Sequence, residues 1–244
     1  MNRQDAKDAK GRVGRGCSLA FTIFVSLRLN YEGRALQTKS AFAGWKDVNS
    51  GVAMSGRKKH NLQWVKQTLE LKDDHNWKSQ PGTKIFVAGR GALRFDVPAD
   101  WHFEPQEKSF RFLDKKPPND DCCLEASFNL LPPGEWADFP LVPLLRKVVE
   151  EDSRDAIEKG EIIRLKRQTA RLVWTQFKFI DPKEHREAYS RICIGLGSNV
   201  QCLITFDFWV DDAERVTPVW DTVMDSVVLG LFIRDPRTGF AFPD

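Results

Sequence analysis

The sequence predicts an α+β protein, an antiparallel β-sheet packed against helices, and three observations carry that reading. From Gly91 onward, short alternating segments follow one another with tight turns between them. One amphipathic helical pattern interrupts them, with Leu141, Leu144, Leu145, Val148 and Val149 on a single stripe. A second, with Val216, Val219, Trp220, Val223 and Val227, closes the chain. Consecutive strands with few helices favour an antiparallel sheet over a parallel strand–helix–strand arrangement.

The elements are read in order. Leu62, Val65 and Leu69 fall at helical spacing and suggest a short helix over 62–71. Lys84–Ala88 is a strand, and Gly89-Arg90-Gly91 turns the chain into a second one, Ala92-Leu93-Arg94-Phe95-Asp96-Val97. No third glycine and no helix follow those two glycines, so they serve a turn and not a phosphate loop. Ser109–Leu113 is a strand. Cys122–Leu131 alternates Cys123, Glu125, Ser127 and Asn129 against Leu124, Ala126, Phe128 and Leu130, the pattern of a half-buried strand with its polar side outward.

Pro132-Pro133-Gly134 ends that strand. The first helix then runs from Leu141, extended by Ala156 and Ile157, to a stop at Gly160. Ile162–Leu165, Leu172–Ile180, Ala188–Gly195 and Val200–Val210 are four further strands, the last two joined by a tight hairpin at Gly197-Ser198-Asn199. Val173, Phe177 and Phe179 lie opposite Leu172 and Trp174, so that strand is apolar on each side and calls for helices covering both faces of the sheet. Thr217 as N-cap and Pro218 at the first helical position begin the closing helix. Residues 234–244 read as a docked loop.

The strand ending Phe95-Asp96-Val97-Pro98-Ala99-Asp100-Trp101, the hairpin-rich middle and the terminal helix around Trp220 resemble the PsbP-like fold. That α/β/α sandwich is shared by an extrinsic subunit of photosystem II and a Ran-binding nuclear transport factor. The resemblance covers about residues 84–230, and the chain is also similar to uncharacterised cyanobacterial proteins. It implies a non-enzymatic binding or assembly role, with no ligand residue carried over.

Charge divides the chain. Residues 1–60 hold 12 Lys/Arg against 4 Asp/Glu, a net of +8, and the remaining 184 hold 25 against 30, a net of −5. A nucleic-acid binder carries its basic footprint on the folded domain, so this division argues against nucleic acid as a partner. The expected organisation is a basic leader over 1–60 and one α+β domain over 61–244, with Met54 an alternative start. Arg3, Lys7, Lys10, Arg12 and Arg15 before the apolar run Leu19–Val25 resemble a secretory signal, with Ala41-Phe42-Ala43 as its cleavage site. The distance between run and site is long and interrupted by charge, which favours a plain extension and a cytoplasmic protein over an exported or lumenal one. The apolar run is far below the roughly 20 residues that span a bilayer. Five scattered cysteines (Cys17, Cys122, Cys123, Cys193 and Cys202) fit a reducing compartment better than a disulfide scaffold.

Few residues group into chemistry. Asp100, His102 and Glu104 alternate on an extended segment and share one face, a candidate metal set against the simpler reading in which Trp101 and Phe103 turn inward and leave the three in water. His75 and His185 sit in charged loops. Cys193 faces Ile204 with Cys202 diagonal to it, a redox or metal edge with Cys122 and Cys123 only if those thiols are not simply core residues. Asp207, Asp211 and Asp212 invite an acid–base or calcium reading, against which the last two suit the start of a helix. Ser198 lacks the elbow and the base that a nucleophile needs. Trp136 and Phe139 stand in a proline-rich loop, the setting of an interface anchor, unless the loop folds them onto the helix that follows.

The expectation is a non-catalytic protein-binding or assembly module acting on another protein, without cofactor or catalytic residues. The alternative is an enzyme or a small-ligand or metal-binding protein whose site is assembled from dispersed residues.

Overall fold

The computed structural model describes residues 69–168 and 170–242. The expected helix over 62–71 lies almost wholly outside these residues, and Leu69 to Lys72 have no regular structure. Strands β1 (Thr83–Ala88) and β2 (Leu93–Pro98) form the predicted hairpin across Gly89-Arg90-Gly91. All three turn residues have positive φ, of 57°, 55° and 95°. Glycine at two of them removes most of the steric cost of that left-handed reversal.

The large sheet is antiparallel throughout. Its strands are β3 (His102–Pro105), β4 (Phe110–Leu113), β5 (Cys122–Leu130), β6 (Ala156–Lys159), β7 (Ile163–Lys166), β8 (Arg171–Ile180), β9 (Glu187–Gly197) and β10 (Val200–Trp209). They lie in the order β3-β4-β5-β10-β9-β8-β6, and β7 pairs with β8 beyond the end of β6. A smaller sheet joins β1, β2 and β11 (Val228–Leu229), and a ribbon of β12 (Ile233–Asp235) with β13 (Phe240–Ala241) ends the described chain.

Both faces of the large sheet are packed, as β8 requires. Helix α1 (Leu141–Glu150) buries Leu141, Leu145 and Val148 against β8 and β9, where Val173, Phe177, Ile192 and Ile194 meet it. Helix α2 (Ala213–Ser226) buries Val216, Trp220, Val223 and Met224 on the opposite side with β2 and β10. There the small sheet and the large one enclose Phe86, Phe95, Phe110 and Phe112, whose ring centres lie 4.9–5.5 Å apart in four of their pairs. Aromatic pairs at such distances and tilted angles are favourable beyond their burial alone.

Two helix boundaries and the burial of one strand differ from the sequence reading. Helix α1 stops at Glu150, not at Gly160, and Ala156 and Ile157 belong to edge strand β6, where Ile157 is 54% exposed. Beyond the cap at Glu151 the chain turns toward the sheet: Arg154 N–H donates to Asp152 Oδ1 at 2.9 Å and its side chain reaches Asp207. Helix α2 begins at Ala213 after a 3-10 turn over Val210–Asp212, so Thr217 and Pro218 lie inside it. Thr217 Oγ1 caps nothing; it donates to Ala213 O at 2.7 Å within the helix. Lastly, the polar side of β5 does not face water. Glu125 and Ser127 are buried, and Ser109, just before β4, and Arg111 on β4 donate to the Glu125 carboxylate at 2.5 and 2.9 Å.

Candidate functional site

Three chain reversals meet at one end of the large sheet. The proline loop after β5 cannot continue the ladder, since Pro132 and Pro133 have no N–H to donate. The β9–β10 hairpin clasps it: Leu131 N donates to Asn199 O at 2.7 Å. The β7–β8 turn fixes its far side, where Arg171 Nη2 donates to Trp136 O at 2.8 Å. Between these reversals lies a solvent-open cleft of about 450 Å³.

Its walls carry Lys166, Arg167 and Arg171 against the single acid Glu135, and Trp136 forms one rim. Arg167 is held from behind, donating to Met224 O and to Asp225 Oδ1 at 3.1 and 2.5 Å. Trp136 is half-buried and donates through Nε1 to Pro132 O at 3.0 Å, with its ring edge-on to Phe139 at 5.8 Å. Phe139 itself is 8% exposed and belongs to the core beneath α1. The two aromatics chosen from the sequence are therefore adjacent, but only Trp136 lines the cleft. No His, Cys or Asp does.

The other sequence candidates are scattered. Trp101 is buried and Phe103, partly buried, packs against the same core beside Phe86, Phe110 and Phe112, while Asp100 occupies the exposed turn before β3. His102 Nε2 and Glu104 Oε1 lie 3.3 Å apart on the sheet edge. Among the described residues no three His, Cys, Asp or Glu side chains group closely enough to hold a metal ion. The three aspartates divide: Asp207 pairs with Arg154 at 3.0 Å, Asp211 with Arg186 at 2.8 Å and Asp212 with Arg215 at 3.0 Å. Cys193 does face Ile204, and Cys122, Cys123, Cys193 and Cys202 are all buried free thiols. Burial pushes the Cys202 thiol up to about 12 and the Cys193 thiol well above its ordinary value. Thiols so shifted are poor nucleophiles and poor metal ligands at neutral pH.

One buried site escaped the sequence. Arg191, 8% exposed, extends between the sheet and α2, with its guanidinium 5.2–5.9 Å from the ring centres of Phe208, Trp174 and Trp220. It donates to Gln176 Oε1 at 2.8 Å and Thr217 Oγ1 at 3.0 Å. Its Nη1 and the Trp220 Nε1 have no hydrogen-bond partner among the described residues, and desolvation lowers the guanidinium pKa. The one available signal was an arginine set in the apolar run Tyr189-Ser190-Arg191-Ile192-Cys193-Ile194. The aromatic surround makes it a clamp between layers, since cation–π contact offsets part of the burial cost.

These features define a class: an antiparallel α+β protein whose described surface gathers charge and an aromatic at one cleft. The chain belongs to the Alr1449 family, whose model matches residues 84–233. It is 70% identical over 192 residues to an uncharacterized protein, alr1449, of Nostoc sp. strain PCC 7120, covering 78% of this chain and 100% of that one. Similar solved structures include cyanobacterial PsbP from Synechocystis sp. PCC 6803, 12% identical with a TM-score of 0.46, over 62% of this chain and 94% of that one. The Ran-binding protein Mog1p of Saccharomyces cerevisiae is 7% identical with a TM-score of 0.42, over 60% and 95%. Among the described residues no helix is long and apolar enough to cross a membrane.

Proposed function

We propose that this protein is a non-catalytic protein-binding module and that the hairpin-end cleft receives an acidic segment of its partner. One observation carries the reading: Lys166, Arg167 and Arg171 line the cleft beside Trp136, where Glu135 is the one acid in the walls, and Asp225 pairs with Arg167 from behind. Arg and Trp are the residue types that most often dominate binding energy at protein interfaces. A cluster of one sign steers an oppositely charged partner, and salt weakens that steering. The cleft is open to solvent, which suits a segment laid across it better than a small molecule enclosed within it. The same proposal places the protein in the cytoplasm, a reading supported by the odd number of cysteines and the vicinal pair Cys122-Cys123.

The test compares the full chain with Lys166→Glu and Trp136→Ala as baits for proteins from its own cells, alongside anisotropy titrations with a labelled Asp/Glu-rich peptide. The expected result is a protein recovered by the native chain and lost in both variants, and peptide binding that weakens as salt rises. Identical recovery by all three baits, or peptide binding unchanged in both variants, would overturn the assignment.

A further inference from the structure

Arg191 differs from the other arginines drawn into the sheet. Arg94, Arg111 and Arg154 each lie against a carboxylate, Asp96, Glu125 and Asp152, at 3.6, 2.9 and 2.7 Å. Arg191 is more buried than these three, and no described carboxylate forms an ion pair with it. Asp221, exposed on α2, acts on it only through space. The two acceptors that hold the guanidinium, Gln176 Oε1 and Thr217 Oγ1, are neutral. Burying a charge without a counter-ion is expensive, and desolvation accordingly pulls this guanidinium below its ordinary value.

Two donors beside this charge lack acceptors. Arg191 Nη1 and Trp220 Nε1 are buried and make no hydrogen bond among the described residues. Guanidinium and indole N–H groups only donate. Arg191 Cζ stands 5.2, 5.7 and 5.9 Å from the ring centres of Phe208, Trp174 and Trp220. It is thus placed among three rings and flat on none of them, unlike Arg154, which is 4.5 Å from Phe179. Buried polar groups are satisfied as a rule, so paired orphan donors point to an acceptor from outside the chain.

We infer that Arg191 Nη1 and Trp220 Nε1 bind one small monovalent inorganic anion, a halide, between α2 and the sheet. Charge selects an anion over water. A water would bring two hydrogens in need of acceptors, whereas Gln176 Oε1 and Thr217 Oγ1 already accept from the guanidinium. The Thr217 hydroxyl hydrogen is itself committed to Ala213 O. An anion needs only donors and supplies the missing counter-charge. Burial sets the size. Trp220 is 0% exposed and Arg191 8%, so a ligand touching both N–H groups is enclosed, and a phosphate or the carboxylate of a partner chain is too large. Arg191 belongs to β9 and Trp220 to α2, so the bound ion ties helix to sheet.

The test titrates the 15N-labelled full chain with sodium chloride in a chloride-free buffer, with sodium gluconate holding the ionic strength constant. Indole N–H signals are the readout. Trp77 Nε1 and Trp136 Nε1, which donate to Pro236 O and Pro132 O at 2.7 and 3.0 Å, are internal controls. The expected result is a saturable shift of the Trp220 signal, with at most an unsaturating drift of the two controls. Arg191→Lys keeps the charge but removes the free Nη1–H, and should raise the chloride midpoint by about tenfold or more. A Trp220 signal that ignores chloride in the wild type overturns the inference, as does an unchanged midpoint in Arg191→Lys. Should that variant fail to fold, the Arg191 Nε–H signal of the wild type decides. A shift with the same midpoint as Trp220 upholds the site, and a fixed signal refutes it.

Discussion

The guanidinium of Arg154 bridges Asp152 and Asp207, donating at 2.7 Å to Asp152 Oδ2 and at 3.0 Å to Asp207 Oδ2, with Ser190 Oγ at 3.1 Å. Its flat face lies over Phe177 and Phe179, 5.2 and 4.5 Å from their ring centres. This one side chain ties the segment after α1 to the centre of the sheet. Truncating it leaves two largely buried carboxylates uncompensated, which typically costs about 3–5 kcal/mol. Urea unfolding of Arg154→Ala is expected to show a loss in that range, and Arg154→Lys to restore only part of it, because an ammonium lacks the fork that serves both acids. A loss below about 1 kcal/mol, the scale of an exposed pair, would show that the bridge does not hold the segment.

Asp96 gives a pH dependence. Burial raises its carboxyl above the ordinary carboxylate value, and Arg94, 3.6 Å away, only partly offsets this. The native state therefore holds this proton more tightly than the unfolded chain does. Its contribution to stability is full below about pH 4 and is lost as pH climbs through the raised value. In Asp96→Asn that loss is absent. The stability of the variant relative to wild type should accordingly increase from pH 4 to pH 7 in paired urea titrations. A relative stability that falls over the same interval would mean that the Arg94 attraction outweighs desolvation.

Strand positions were legible in the sequence because alternation and turn chemistry are local. Leu172 to Ile180, apolar on both sides, even announced that two layers must cover the sheet. The failures lie where a distant residue decides. Ala156 and Ile157 continue the α1 stripe in sequence, yet Arg154 is pulled toward Asp207, 53 positions on, and the helix ends first. Thr217-Pro218 has the composition of a helix start, but the 3-10 turn at Val210–Asp212 has already set the direction of the chain. Trp136 was visible as an aromatic in a proline loop. Lys166, Arg167 and Arg171 were not, because nothing in the sequence says which three reversals share one end of a sheet. Glu125 looked solvated because its partners, Arg111 on the neighbouring strand and Ser109 just before it, are distant in sequence.

The cysteines of the second core face supply a chemical check. Cys193 and Cys202 lie between the sheet and α2, and burial holds both as neutral thiols, Cys202 up to about 12. Raising the pH from 7 to 9 ionises an ordinary thiol and accelerates its alkylation. These two are expected to stay unalkylated across that range in the native protein and to react only once urea unfolds it. The same shift makes the folded state less stable as pH rises above about 8.5, because the unfolded thiols ionise first. Native-state alkylation of either at pH 9 would show that α2 opens readily or that the site is wet.

Gly195 sits at a tight point of the same core. It pairs with Cys202 on β10 and Leu172 on β8, and a Cβ built on it would lie 2.6 Å from Leu172 Cδ2 and 2.7 Å from Cys202 Sγ. Both distances are well inside van der Waals contact, and Leu229 Cδ1 at 3.1 Å closes the third side. A methyl group here must displace the Leu172 and Cys202 side chains or push β11 outward, and overpacking of this kind costs about 1–3 kcal/mol. Gly195→Ala is thus expected to lower the urea midpoint. Pairing it with Leu172→Val, which removes a methylene from the crowded side, should return part of the loss. Additive destabilisation in the double variant would mean that the clash is relieved elsewhere and that Leu172 does not set the space around Gly195.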